Sequence, residues 1–350
     1  MLCCHDATRA MVAGNCDTCL THRAMNERDS DMVRLGIMIE GQEGLTWDRW
    51  RKIVQAGEEF GFDSVWRSDH LFSVMGEIDR PTLSLVPSLT AVALWSQRVE
   101  FGALVSPTTF RHPVHLASEA AALDQISNGR YWFGIGAGWN EQEHPAFGFP
   151  LPPLRERFDR FEEALKVIRL LWTGEAVSFD GEYYQLQGAR TTSVPSTEGG
   201  VPMMIGGSGE KRTLRIVAEY ADEWNVSTMT VETYDHKSAV LAEHCRAIGR
   251  DPQEIKRSMM LGHVIGRNEA EVLDRTRRLQ EIVPSLRDLS PQEAFERVRD
   301  RGYLAGTVEQ VIELIQQRGK QGVDRIMLQT FDQDDIDGLK MIADEIIPNI

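Results

Sequence analysis

A run of glycine and serine residues after one short apolar segment has the composition of an anion-binding turn. Gly206, Gly207, Ser208 and Gly209 follow the strand-like residues 202–205 and precede a helical pattern. Backbone N–H groups in such a turn approach a phosphate closely, and a helix N-terminus adds partial positive charge. A tight turn that needs positive φ explains one or two glycines, so three in four positions favour a phosphate site.

A second glycine-rich stretch ends another apolar segment. Gly136, Ala137 and Gly138 carry almost no side chain, and Trp139 follows them. A backbone without side chains lets a flat ligand lie close to the strand end, although glycine is also used at the corners of β-barrels.

Asp69 and His70 follow a third apolar segment. A histidine at that position is either an acid or base in a pocket or a turn residue that caps the next helix. No His-x-His follows the first strand, no lysine ends a strand, and no carboxylate cluster is present at the strand ends. These absences argue against metal-dependent and Schiff-base chemistry and predict no metal site, so the reactivity would come from a bound cofactor.

Eight apolar strand patterns alternate with helical patterns and must position these residues. The predicted strands are residues 33–39, 64–66, 99–105, 131–135, 202–205, 223–226, 258–265 and 325–330. The predicted helices are residues 47–60, 87–96, 115–126, 155–172, 210–220, 231–248, 269–282, 291–301, 307–318 and 336–347. Residues 173–200 form an insertion with a hairpin signal at Asp180-Gly181. This pattern predicts an α/β fold, a (β/α)8 TIM barrel, because an open doubly wound sheet would place a glycine-rich turn after the first strand.

The composition is that of a folded enzyme, and one segment departs from it. The 350 residues carry a net charge of −15, which argues against sequence-independent binding of nucleic acid, and no apolar run is long enough to span a membrane. Residues 1–31 hold four of the five cysteines and two histidines, so this segment is either a zinc knuckle or an extension without regular structure. We expect the extension, no signal peptide, a cytoplasmic protein with reduced thiols, and one domain over residues 32–350.

Six segments, in this order, resemble the bacterial-luciferase-like family of flavin and deazaflavin oxidoreductases. They are residues 62–70, 101–113, 123–130, 136–141, 202–209 and 306–310. The stretch from Trp139 to Phe149, followed by residues 155–158, is most similar to the branch that uses coenzyme F420. The resemblance covers residues 33–348.

The resemblance implies a barrel with F420, or alternatively FMN, across its mouth, and a homodimer. It implies a non-proline cis peptide near Leu104-Val105, with Leu104, Val105, Ser106 and both glycine-rich stretches at the cofactor. It also implies that His70, beside Asp69, lies where hydride is exchanged. The sugar-phosphate dehydrogenases of the family carry a glutamate where this chain has Trp139, which argues against glucose-6-phosphate oxidation and for apolar or aromatic substrates.

Three functions follow as hypotheses. The first is an F420-dependent oxidoreductase that transfers hydride to or from a small, apolar organic molecule. The second is a reduced-FMN monooxygenase served by a flavin reductase, and the third is a cofactor-binding protein without turnover. The phosphate loop does not separate the first two, because both cofactors carry a phosphate.

Overall fold

Parallel strands surrounded by helices build the part of the chain that the computed structural model describes, residues 32–75 and 79–350. The strands are β1 (Arg34–Ile39), β2 (Ser64–Arg67), β3 (Glu100–Ala103), β4 (Ser106–Pro107), β5 (Tyr131–Gly136), β6 (Val177–Asp180), β7 (Gln185–Ala189), β8 (Met203–Gly206), β9 (Glu223–Ser227), β10 (Lys256–Gly266), β11 (Leu304–Thr307) and β12 (Arg325–Thr330). The α-helices are α1 (Trp47–Phe60), α2 (Leu85–Trp95), α3 (Pro113–Ser127), α4 (Glu143–Ala146), α5 (Leu154–Trp172), α6 (Thr213–Tyr220), α7 (Val231–Ala247), α8 (Glu269–Ile282), α9 (Pro291–Asp300), α10 (Val308–Lys320) and α11 (Ile336–Glu345).

Eight of these strands close into a barrel. The hydrogen-bonded order is β1, β2, β3, β5, β8, β9, β10 and β12, and β12 returns to pair with β1. Every pairing around this ring is parallel, as in the register of Ile37 opposite Leu328. The predicted TIM barrel is therefore confirmed, and the carboxyl ends of its strands share one mouth.

The structure differs from the expected elements at four places. The third predicted strand is interrupted after Ala103 by a cis peptide between Leu104 and Val105, at the position the family resemblance implied, and resumes as β4. Two elements were not predicted, the short strand β11, which pairs with β10 outside the ring, and the one-turn helix α4. Helix α6 begins at Thr213 because residues 210–212 form a turn.

Local sequence signals explain where several helices begin and end. The Thr46 side chain accepts the backbone N–H of Arg49 at the start of α1, and Gly61, with φ of 89°, ends that helix in the left-handed region. Thr307 and Gln310 form the capping box that opens α10. In the insertion, β6 and β7 pair antiparallel, so the predicted hairpin is confirmed.

The amino-terminal end of the barrel is filled by a buried ion cluster. The Arg325 side chain is wholly buried, and its Nε lies 3.0 Å from Asp63 Oδ2. Its guanidinium also pairs with Glu100 and lies 3.8 Å from Glu223 Oε2. Burial raises the pKa of Glu223, and the positive charge of Arg325 opposes that rise. The cluster lies at the end of the barrel opposite the one that carries catalysis in TIM-barrel enzymes, so we assign it to the fold rather than to the site.

The cysteine-rich residues 1–31 lie outside the described residues, so the structure tests neither the extension nor the zinc knuckle. Among the residues that are described, none of the helices has the length and apolar character needed to cross a membrane.

Candidate functional site

A cavity of about 320 Å3 opens at the carboxyl end of the barrel strands. Its size falls in the range of small-molecule sites, and apolar groups form most of its wall. The lining residues are Asp69, His70, Leu104, Val105, Pro107, Phe110, Gly138, Trp139, Asn140, Glu143, His144, Gly206, Gly207, Asn225, Ser227 and Met260. The wall contains no lysine or arginine among the described residues.

His70 is the titratable side chain best placed for proton transfer in this cavity. Its Nδ1 lies 2.8 Å from Oε2 of Glu143, which is completely buried, and the other oxygen of that carboxylate accepts the backbone N–H of Leu71. Burial lowers the pKa of His70, but the hydrogen bond and the charge of Glu143 outweigh it, so that the pKa is raised overall. With Nδ1 engaged, Nε2 is the nitrogen left for a ligand.

Asn140 places Glu143 against His70. Its Oδ1 accepts the backbone N–H groups of Gln142 at 3.0 Å and of Glu143 at 3.1 Å, which caps the turn that becomes α4. The next residue, His144, is buried and bonds the Asn140 carbonyl through Nδ1 and the Thr109 hydroxyl through Nε2. This stretch is therefore held to the barrel by side chains rather than by strand pairing.

Asp69 lines the cavity, but its carboxylate has partners of its own. Arg111 Nη1 lies 2.6 Å from Oδ2, and the Ser106 hydroxyl donates to the same oxygen at 2.9 Å. The arrangement suits the positioning of the loop that carries His70.

The glycines at the strand ends make room for Val105. A Cβ on Gly136 would lie 3.0 Å from Val105 Cγ2, and one on Gly206 would lie 3.3 Å from Val105 Cγ1. The sequence predicts that residues 136–138 leave room for a flat ligand. Gly136 also makes room for Val105, which follows the cis peptide and lines the cavity.

The predicted phosphate loop contributes in part to the cavity wall. Gly206 and Gly207 line it, but the Gly207 N–H is donated to the Asn225 carbonyl, so free backbone donors begin at Ser208. Arg212 points away, because its guanidinium is held by the carboxylates of Asp159 and Glu162 on α5. It supplies no charge to the loop.

Trp139 stands at the rim of the cavity and is 63% exposed. Its ring meets the His70 imidazole edge to face, with centroids 5.6 Å apart and planes at 79°. An aromatic ring in this position shields the imidazole from solvent on one side.

The structure brings together most of the residues that the sequence predicted. His70, Asp69, Leu104, Val105, Gly138, Trp139, Gly206 and Gly207 line the cavity, whereas Ser106, Gly136, Ala137, Ser208 and Gly209 are outside its wall. The sequence reading missed Glu143, Asn140, His144, Phe110 and Met260 as site residues. The spacing of Asn140 and Glu143, a capping pattern, was the available signal for two of them.

No group of three or more metal-ligating side chains occurs within residues 32–75 and 79–350.

Comparison with known proteins gives the following similarities. Residues 32–325 match the family described as luciferase-like monooxygenase. The chain is 30% identical to the F420-dependent glucose-6-phosphate dehydrogenase of Amycolatopsis mediterranei, over 77% of this chain and 81% of that protein. It is 31% identical to the F420-dependent hydroxymycolic acid dehydrogenase of Mycobacterium tuberculosis, over 67% of this chain and 64% of that protein.

Two solved structures are similar in fold. An F420-dependent secondary alcohol dehydrogenase in complex with an F420-acetone adduct superposes with a TM-score of 0.75 at 23% identity, covering 90% of this chain and 98% of that one. The monooxygenase RslO1 from Streptomyces bottropensis gives a TM-score of 0.76 at 19% identity, covering 90% and 99%.

Proposed function

Because the chain belongs to the luciferase-like monooxygenase family, we propose that it is an oxidoreductase that uses the deazaflavin coenzyme F420 for hydride transfer to or from a small apolar molecule. The observation that carries this proposal is the His70–Glu143 pair at the edge of an apolar cavity in the barrel mouth. The similarity to F420-dependent dehydrogenases supports the choice of cofactor.

The residues present fit a deazaflavin with a phosphate. A Cβ at Gly206 would lie 3.3 Å from Val105 Cγ1, a closer contact than most side chains make, so glycine suits this strand end, and Ser208 and Gly209 follow it with backbone donors. We assign Leu104, Val105, Gly138 and Trp139 to the ring and residues 206–209 to the phosphate. Ser106, Gly136 and Ala137 would support the backbone behind the ring. When bound, the deazaflavin supplies the carbon that accepts or releases hydride.

His70 handles the proton in this proposal. Reduction of a carbonyl to an alcohol takes up one proton with the hydride, and the reverse reaction releases one. The Glu143 carboxylate favours the protonated imidazole, so His70 can hold that proton at Nε2 and give it to an oxygen in the cavity. Trp139 limits the access of water to the imidazole.

The cavity wall favours a substrate whose part inside the cavity is uncharged. Its side chains are mainly apolar, and its ionisable members are two histidines and two carboxylates. A phosphate ester would find no lysine or arginine in the described wall, so glucose 6-phosphate is not the substrate that we propose.

Anaerobic turnover tests this proposal. Reduced F420 is mixed with a panel of apolar ketones, aldehydes and enones, and its reoxidation is followed by absorbance; oxidised F420 is mixed with secondary alcohols and with glucose 6-phosphate. We expect turnover with members of the apolar panel and none with glucose 6-phosphate. Oxidation of glucose 6-phosphate would overturn the substrate class and leave the cofactor standing. In a separate aerobic assay, enzyme-dependent oxygenation of a substrate with reduced FMN, above the spontaneous oxidation of free reduced FMN, would overturn the cofactor.

A His70→Asn variant is the control for the proton role. The amide keeps a polar group near Glu143 but cannot carry the proton, so turnover falls by about 100-fold or more while F420 affinity stays within about twofold. Unchanged turnover would remove His70 from the mechanism.

The homodimer implied by the resemblance remains a proposal, and sedimentation of the purified protein tests it.

A further inference from the structure

A second cleft shares Phe110 with the cavity and differs from it in charge. Its volume is about 200 Å3, and Phe110 lines both spaces. The residues that line the cleft are Thr108, Thr109, Phe110, Arg111, His112, Pro150, Pro152, Arg157, Arg160 and Tyr184. Three are arginines and none is acidic, in a chain whose net charge is −15. A local excess of guanidinium groups in an acidic protein indicates a place for an anion.

Arg157 is the arginine of the cleft whose charge is not paired with a carboxylate of the described residues. Its Nη1 donates to the Gly138 carbonyl at 2.8 Å and its Nε to the Pro152 carbonyl at 3.2 Å. Both partners are neutral, and Arg157 forms no ion pair within the described residues. The carbonyls fix the position of the guanidinium without neutralising it.

Arg160 lies one helical turn further along α5 and can change partners easily. It pairs with Glu156 at 2.7 Å, but both side chains are more than a third exposed, so this pair contributes little stability. Its guanidinium also lies 4.5 Å from the centre of the Tyr183 ring. A carboxylate entering the cleft could therefore recruit Arg160 at low cost.

The other charged groups facing the cleft do not compete for an anion. Arg111 is held by Asp69 and Glu119, and burial lowers the pKa of His112, which keeps that imidazole neutral near pH 7. The N-terminal end of the 19-residue helix α5 adds partial positive charge at the same place.

From this geometry we infer that the cleft is a subsite for an organic carboxylate carried by the molecule that occupies the cavity. Two sources of the carboxylate fit the same chemistry. One is the acidic side chain that coenzyme F420 carries beyond its phosphate, and the other is the carboxylate end of an otherwise apolar substrate. In both cases the guanidinium groups of Arg157 and Arg160 offer charged N–H donors to the carboxylate. The F420 source rests on the proposed function, whereas the subsite itself does not.

Binding experiments on the full-length protein test the subsite and separate the two sources. Glutarate and its uncharged diamide are titrated calorimetrically into the wild type, Arg160→Gln, Arg157→Gln and the control Arg267→Gln, which removes an exposed, paired arginine elsewhere. The same proteins are titrated with intact F420. They are also titrated with the deazaflavin chromophore, which keeps the ribitol chain but lacks the phosphate and the carboxylates. Circular dichroism verifies that each variant is folded.

If F420 supplies the carboxylate, Arg160→Gln and Arg157→Gln weaken the binding of intact F420 by about tenfold and leave the affinity for the chromophore unchanged. If the substrate supplies it, F420 is unaffected, and the wild type binds glutarate but not the diamide, with the glutarate signal lost in both variants. Arg267→Gln behaves as wild type in both cases. The inference is wrong if neither F420 nor glutarate binding changes in the two cleft variants. Failure of the chromophore to bind the wild type would instead count against the proposed function.

Discussion

Glu143→Gln removes one charge from the site and keeps its shape. The amide is isosteric with the carboxylate, so it can still accept the Leu71 N–H, and Asn140 can still cap the turn. What is lost is the negative charge 2.8 Å from His70 Nδ1. A hydrogen bond between charged groups contributes about 1.5–3 kcal/mol, and neither side chain is exposed enough for solvent to screen most of it.

The sign of the pH dependence follows from the pKa of His70. In the wild type this pKa is raised above the unfolded value of about 6.5, so the pair stabilises the fold fully below that pH and the contribution is lost as pH rises through the folded pKa. In the variant the charge of Glu143 is gone, so burial, which lowers the pKa of His70, is opposed only by the charges of Glu40 and Asp69. The pKa of His70 therefore falls relative to the wild type, and the variant lacks the stabilisation that the wild type gains on acidification.

Urea unfolding at pH 8 and at pH 5.5 measures this difference. We expect the variant to lose about 1.5–3 kcal/mol more than the wild type between the two pH values. Asp124→Asn is the matched control, because Asp124 is also a buried carboxylate that accepts backbone N–H groups, from Ser196 and Thr197, but it does not contact His70. NMR titration of the imidazole gives an independent readout, with His70→Asn assigning the signal. If His70 titrates at the same pH in the variant and in the wild type, the pairing is refuted.

Three further changes probe the glycine edge, the rim and the barrel base. Gly206→Ala places a Cβ 3.3 Å from Val105 Cγ1, so we expect F420 to bind about tenfold more weakly by fluorescence titration, and unchanged affinity would contradict the role of the bare strand end. Trp139→Leu removes the ring that contacts His70. We expect weaker quenching of tryptophan fluorescence by the cofactor and a turnover about tenfold lower than that of the wild type. Quenching equal to that of the wild type would contradict the placement of Trp139 at the cofactor. Arg325→Met leaves buried carboxylates without a counter-charge and should cost about 3–5 kcal/mol in urea unfolding, and a loss below 1 kcal/mol would show that the cluster is dispensable.

The barrel was predictable because each of its strands is a short apolar run between helical patterns, and that alternation is local in sequence. The prediction placed His70 and the two glycine-rich stretches at one mouth without knowledge of their contacts. Helix caps such as Thr307 were predictable for the same reason, since their partners lie three residues away.

Contacts between distant parts of the chain could not be predicted in this way. Glu143 lies 73 residues after His70. The hydrophobic periods of strands and helices, 2 and 3.6 residues, do not indicate that the loop carrying Glu143 contacts the loop after β2. Arg212 follows the glycine-rich turn closely in sequence, but its partner Glu162 lies 50 residues earlier, on α5, and no local pattern indicates that pairing. The sequence predicts that Gly136 gives room to a flat ligand and that Gly206 belongs to a phosphate turn, and it gives no sign that both glycines also make room for the Val105 side chain after the cis peptide.

A titration of the purified protein with oxidised F420 and, separately, with FMN tests the central claim most directly. Tryptophan fluorescence reports the binding, because Trp139 stands at the rim where the ring is proposed to lie. The account predicts saturable quenching by F420 at a concentration at least about tenfold lower than any quenching by FMN. Preferential binding of FMN, or no binding of either cofactor, would contradict it.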